Sequence, residues 1–195
     1  TTPMFTLFPY TTLFRSIGST SFLTEEEIKS LGFKKYGDNL KISRFAHFYT
    51  PSTIEIGNNV RIDDFCILSG NIKLGSNIHI SAYCALYGSY GITMCDNTGL
   101  SPRATIFSSM DDFSGDFLIG PIHDKSKINV QGGSVLLEEY VQIGSGSILF
   151  PKLKISKGCV VGAMSLVNKS LDEWGVYAGI PVKKIKERRR GLLNL

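Results

Sequence analysis

The stretch IEIGNNVRIDDFCILSGNIKLGSNIHISAYCAL, residues 54–86, decides the fold. Its apolar residues Ile56, Ile62, Leu68, Leu74, Ile80 and Leu86 recur every six positions without a break. An α-helix turns once in about 3.6 residues, so it cannot hold a six-residue column on one face over this length. A short strand followed by a turn can. Three units of six close a triangular coil of eighteen residues. Stacked coils form an all-β parallel solenoid whose apolar columns fill the interior.

Beyond Leu86 the register slips by two residues and resumes at Met94, Leu100 and Ile106. It breaks again, then returns at Leu137, Ile143, Leu149, Ile155, Val161 and Val167; upstream, Ile42 and Phe48 also fit. The residue after each apolar one is often small or acidic, as at Gly57, Asp63, Ser81, Ser101, Gly144 and Gly162. The residue four after it is mostly small or aliphatic, as at Val60, Cys66, Cys84, Ala104, Ser147 and Ser165. Small side chains suit tight corners and the space beneath them. The solenoid is therefore expected over residues 39–170, with a loop inserted at 108–134.

The flanks read differently. In FLTEEEIKSLG, Thr24 is an N-cap and Glu27 completes a capping box. Leu23 and Ile28 can staple the helix, and Gly32 can end it. Residues 17–38 are thus a capping helix and lead-in that closes one end of the solenoid, which would otherwise expose unpaired strand edges. Residues 171–195 read as a loop and a basic C-terminal helix. Residues 1–16 carry no repeat, and TLFPYTTLFRS within them is the in-frame translation of the end of a common sequencing adapter. They are read as non-native and set aside from the fold. Pro9, Thr11, Thr12 and Arg15 also interrupt any apolar run long enough for a signal peptide or membrane anchor.

The chain has 195 residues and a net charge of +4, but the charge is concentrated. KKIKERRR, residues 183–190, has six basic residues and one acidic, so the rest of the chain sums to about −1. A nucleic-acid binder spreads its basic residues over a face, so no nucleic-acid partner is expected, and no membrane partner either. Cys66, Cys84, Cys95 and Cys159 form no C-x-x-C pair. That argues against a zinc or redox motif and for small buried thiols in a reducing, cytoplasmic compartment. Cys66 and Cys84 lie eighteen apart and are expected to stack on adjacent coils.

The break in the repeat, SSMDDFSGDFLIGPIHDKSKINVQGGS, holds Asp111, Asp112, Asp116, His123 and Asp124. A long insertion in a regular solenoid is usually functional. Together with I-E-I-G-N-N-V-R-I-D-D, V-Q-I-G-S-G-S (141–147) and Y-A-G-I-P-V-K-K (177–184), it resembles the hexapeptide-repeat acyltransferases of the galactoside, maltose and xenobiotic acetyltransferase type. S-x-D-D-F-S-G in the loop is similar to a bacterial branch that acetylates sugars for surface polysaccharides, nucleotide-linked 4-amino-4,6-dideoxyglucose among them.

The resemblance implies a left-handed parallel β-helix, a homotrimer, acetyl-CoA as acyl donor and a small sugar as acceptor. It carries cofactor contacts onto Gly144, Ser145, Gly162, Ala163 and Ser165, and phosphate contacts onto Lys183 and Lys184. The family's catalytic histidine falls at Asp111, and its acceptor-binding asparagine at Ser81, near Tyr83. Both positions depart from the family pattern. An unperturbed Asp, near about 3.9, is a weaker base than His, near about 6.5. Either Asp111 is raised beside Asp112, or His123 supplies the base, or the acceptor is an amine that needs no strong base. The candidate catalytic set is therefore Asp111, Asp112 and His123, with Ser81 and Tyr83 at the acceptor.

Three alternatives stand beside this one. One is O-acetylation of a galactoside-type hydroxyl. Another is a non-catalytic trimeric assembly protein on the same scaffold. The third is a zinc carbonic anhydrase, which needs converging histidines. His47, His79 and His123 include no close pair, so no metal is expected.

Overall fold

The computed structural model describes residues 21–195. The reading of residues 1–16, and of the lead-in as far as 20, lies outside them. Each hexapeptide contributes one short strand, and successive strands fall on three faces in turn. The first face stacks Ile54–Ile56, the ends of Ile67–Leu74 and Ala85–Met94, Val135–Leu137 and Lys154–Ile155. The second stacks Lys41–Ile42, Val60–Ile62, Ile78–Ile80, Gly99–Leu100, Gln142–Ile143, Val160–Val161 and Gly175–Ala178. The third stacks His47–Tyr49, the starts of the two long strands, Thr105–Phe107, Ile148–Leu149 and Leu166–Val167. All these pairings are parallel, and the solenoid makes about seven turns.

The register explains the period. Val60 pairs with Ile78, Ile62 with Ile80 and Leu68 with Leu86, each one coil of eighteen apart. Every apolar residue of the six-residue columns from Ile56 to Val167 is buried, and on most rungs its neighbours are partly or fully exposed, as alternation along a strand requires. Cys66, Cys84 and Cys159 are buried inside the corners as free thiols. The neighbouring Cys66 thiol and burial together push the Cys84 thiol above its usual range, which keeps it neutral.

The corners demand left-handed backbone. Between the first and second faces Asn39, Asn59, Asn77 and Asn97 take φ of 54–60°, a region asparagine tolerates. Their amides stack as a ladder, Asn39 donating to Asn59 and Asn59 to Asn77 at 2.8 Å. Higher up, the same corner carries Tyr140, Gly158 and Trp174. The Trp174 indole lies over Gly158 and stacks toward Tyr140 at 6.5 Å. A Cβ on Gly158 would sit 2.5 Å from the indole, so only glycine fits there.

At one end the helix Glu25–Ser30 forms with the full capping box between Thr24 and Glu27, and Ile28 plugs the core. At the other end the structure corrects the sequence reading. Residues 183–187 are not helical; Lys183–Glu187 is a strand antiparallel to Gly175–Ala178. Lys, Arg and Glu favour helix in isolation, but the last second-face strand presents unpaired backbone groups, and the hairpin satisfies them. Val182 anchors it in the core. Arg188 clamps it by donating to the carbonyls of Tyr140 and Gly158 at 2.7 and 2.9 Å.

Candidate active site

The expected site residues fall at two corners. The corner joining the second and third faces carries residues 63–66, 81–84, 101–104, 144–147 and 162–165 on successive rungs. Ser81, Tyr83, Gly144, Ser145, Gly162, Ala163 and Ser165 therefore form one column along the solenoid axis. Neighbouring rungs are about 4.8 Å apart, which leaves little room between them. A Cβ on Gly144 would lie 2.5 Å from the Ala163 backbone nitrogen. Ser145 and Ala163 face outward and are exposed. Ser165 differs from expectation. It is 2% exposed, and its hydroxyl donates to the Gly162 carbonyl at 2.8 Å and accepts from Gly179 N at 3.0 Å. The side chain knits rungs together from inside.

The tip of this corner takes positive φ at Phe65, Tyr83, Arg103, Gly146 and Met164. Phe45, Phe65 and Tyr83 stack at 5.8 and 5.0 Å, and the Arg103 guanidinium lies 5.3 Å from the Tyr83 ring centre. The three rings remain about half exposed, at 47–52%. The column ends at Ala178, which pairs with Lys183. Lys184 is bound to Glu187 at 2.6 Å, and that bond raises its pKa. Lys183 has no ion-pair partner among the described residues.

The corner joining the third and first faces carries the inserted loop. Its base is a hairpin of Ser109–Asp111 and Val130–Gly132, with Asp111 opposite Val130. Asp111 is half-buried, and its carboxylate accepts no hydrogen bond from the described residues. Asp112, its neighbour, is fully engaged. It accepts from Ser114 N at 2.8 Å, Asn129 Nδ2 at 2.7 Å and Gln131 Nε2 at 3.2 Å. Ser114 first, then Asn129 and Gln131, pull its pKa down to about 2. A carboxylate held ionised in that way is a poor proton acceptor near neutral pH. His123 is half-exposed in a turn of the loop, with no hydrogen-bond partner among the described residues to orient it.

One feature escapes sequence reading. The two extra residues behind the slip after Leu86 are the footing of the loop. Tyr90 N donates to Ser108 Oγ at 2.9 Å, and Ser108 Oγ donates to the Tyr87 carbonyl at 2.9 Å. The Ser89 and Ser109 hydroxyls meet at 2.7 Å. The Tyr90 ring packs on Gly132, where a Cβ would lie 2.4 Å from it. Two sequence irregularities eighteen residues apart are thus one structural unit.

The histidines stand apart. His47 is on the third face, His79 on the second and His123 in the loop. His79 Nε2 meets Asp63 Oδ2 at 2.8 Å, and Arg61 Nε donates to Asp63 at 2.7 Å. Burial works to raise the Asp63 pKa, but the bonds from Arg61 and His79 outweigh it and hold the carboxylate low. Among the described residues no three metal-ligating side chains converge, and no helix is long and apolar enough to cross a membrane.

No protein-family model matches the chain. The dTDP-4-amino-4,6-dideoxy-D-glucose acyltransferase of Escherichia coli is 39% identical over 178 residues, 90% of this chain and 93% of that protein. An aspartate-to-asparagine variant of AntD, an N-acyltransferase from Bacillus cereus, solved in complex with dTDP and coenzyme A, is 49% identical and superposes with a TM-score of 0.88 over 90% of this chain and 95% of its own. Galactoside acetyltransferase in complex with coenzyme A shares the fold, at 24% identity and a TM-score of 0.55 over 84% of this chain and 71% of its own. The solenoid is thereby the left-handed parallel β-helix of an acyltransferase. Its exposed corner column, its terminal cation and its braced acidic loop sit on a scaffold matched along nine-tenths of its length, and the chain belongs to the family of dTDP-4-amino-4,6-dideoxyglucose acyltransferases, hexapeptide-repeat enzymes.

Proposed function

We propose that the protein transfers the acyl group of an acyl-CoA to the 4-amino group of a dTDP-linked 4-amino-4,6-dideoxyglucose, forming an amide. The observation that carries this reading is the pair of loop carboxylates. Asp112 is spent on the loop, Asp111 is open, and no oriented histidine stands beside them. That arrangement suits an amine acceptor, which attacks when neutral and needs no strong base. The nitrogen attacks the thioester carbonyl carbon, the C–S bond breaks, and the proton lost from nitrogen balances the thiolate released. Asp111 holds the amine.

AntD has been solved with dTDP and 3-hydroxybutyryl-CoA, and variant forms of it with dTDP-4-amino-4,6-dideoxyglucose and coenzyme A. Those variants are substituted at a serine or, in other structures, at an aspartate ten residues further on. Here Ser101 and Asp111 stand ten apart, at the two ends of a third-face rung. This spacing supports a role for both. Gly144, Ser145, Gly162 and Ala163 then line the pantetheine arm, Lys183 meets phosphate, and Ser81 and Tyr83 lie toward the acceptor.

Ser81 and Tyr83 occupy a different corner from Asp111, so one protomer alone does not join them. The loop also exposes Phe113, Ile119 and Ile122 at 69%, 51% and 87%. Both observations support a homotrimer in which one protomer's loop closes over its neighbour's corner column. The four free thiols suit a cytoplasmic enzyme.

The test follows thiol release by the full chain. Acetyl-CoA and 3-hydroxybutyryl-CoA are offered in turn, each with the dTDP-linked 4-amino sugar and with a galactoside. Turnover with the amino sugar and an amide product is expected. Turnover with the galactoside alone refutes the reading. Light scattering at three times 21.5 kDa checks the trimer.

A further inference from the structure

We infer that Asp112 is a positioning residue whose carboxylate, with Tyr90 beneath it, holds the base of the loop and so fixes where Asp111 points. This rests on the reading of Asp111 as the acceptor-binding group. The geometry comes from both sides of the hairpin. From above, Asp112 bridges the strands: its own N–H donates to the Asn129 carbonyl at 2.9 Å, while its oxygens accept from Ser114, Asn129 and Gln131. From below, the Tyr90 ring supports Gly132, and Ser89 and Ser108 tie the strand before Asp111 to the coil underneath. The Ser109–Asp111 strand is therefore held at its start by the solenoid and just past its end by Asp112. Asp111 lies between the two anchors, paired with Val130 through its backbone, and its carboxylate is left unbonded. A hairpin of three residue pairs is not stable alone, so the anchors are what give Asp111 one position. A carboxylate is needed at 112 because two side-chain amides and one backbone N–H all donate to it; asparagine offers only one acceptor oxygen and adds two donors.

The partner side chains make the inference testable by exchange. In Asp112→Asn the new amide faces the Asn129 amide, donor against donor. In Asp112→Asn with Asn129→Asp the donor and acceptor roles are swapped and the bond between positions 112 and 129, the shorter of the two side-chain amide contacts, is restored. The full chain and its D112N, D112N/N129D and D111N forms are compared with the dTDP-linked 4-amino sugar and acetyl-CoA. Hydrogen exchange is followed in peptides covering 109–116 and 128–133. For D112N the expectation is a fall of at least about tenfold in kcat/KM for the acceptor, an unchanged KM for acetyl-CoA and faster exchange in both peptides. The double variant is expected to recover most of both losses. Lost activity with unchanged exchange and no rescue would mean that Asp112 touches substrate itself, and would overturn the inference. Faster exchange with full activity would equally overturn it, since Asp111 would then not need the brace. D111N reports separately on the reading of Asp111: if it keeps full activity while D112N loses it, the acceptor role of Asp111 fails and the anchoring of the loop is judged by exchange alone.

Discussion

Gly144→Ala distinguishes a glycine that serves the solenoid from one that serves the cofactor. An added Cβ would lie 2.5 Å from Ala163 N, 2.7 Å from Gly162 C and 2.7 Å from the Val161 carbonyl oxygen. All three are backbone atoms of the next rung, so no side chain can swing away. Ordinary contact begins near 3.4 Å, which requires the rungs to part by about 0.9 Å here. The Gly144 N–H donates to the Val161 carbonyl at 2.7 Å, and the same displacement takes that bond beyond useful length. Overpacking costs about 1–3 kcal/mol and a lost hydrogen bond about 1 kcal/mol, so the variant should lose about 2–4 kcal/mol. For a domain of this size that lowers Tm by roughly 4–16 °C. Thermal unfolding by circular dichroism measures it, with Ser145→Ala as the contrast, because that side chain is exposed and should leave Tm unchanged while raising the KM for acyl-CoA. A Gly144→Ala protein melting within 2 °C of its parent would refute the close-approach reasoning.

Trp174 is 3% exposed and holds the C-terminal hairpin with Arg188 and Arg190. Trp174→Ala should cost about 3–5 kcal/mol by denaturant titration, and should raise the KM for acyl-CoA because the hairpin carries Lys183. Lys183→Ala should raise that KM about fivefold, equivalent to about 1 kcal/mol, with no change in Tm, whereas Lys184→Ala should do less because Lys184 is already paired. The Glu27 and Asp112 carboxyls are both pulled down to about 2 in the folded chain, below the usual carboxylate value. Glu27 is held there chiefly by Arg44, Asp112 by Ser114. A depressed folded pKa gives stability that is complete above the unfolded value and lost as pH falls through the folded one. Denaturant midpoints should therefore drop between about pH 4 and pH 2, and Glu27→Gln should make that acid limb shallower.

Much of this protein is legible in its sequence because the solenoid is built from local rules repeated. A strand of two or three residues, a tight corner and an inward apolar residue recur every six positions, and away from the inserted loop each rung pairs with residues about eighteen away. The core from Ile56 to Val167, the capping helix and the inserted loop were all visible for that reason. The acyltransferase family was legible too, from the loop motif and the Y-A-G-I-P-V-K-K stretch.

What the periodic pattern does not carry is any contact made outside it. The basic tail is a strand rather than a helix because an open sheet edge was waiting for it, and only the assembled solenoid presents that edge. The resemblance places Asp111 at the family's catalytic position, but nothing in the sequence says how Asp112 beside it is used. The fold shows it, by bringing Asn129 and Gln131 back across the loop to Asp112 and leaving the Asp111 carboxylate open. The two-residue slip after Leu86 has no stated cause in the sequence, and in the structure it is the footing on which the loop stands. Sequence determined the repeating backbone, whose energetics are local and identical from coil to coil. Tertiary structure decided which of the chemically similar groups on it are spent on holding the chain and which are left free to act.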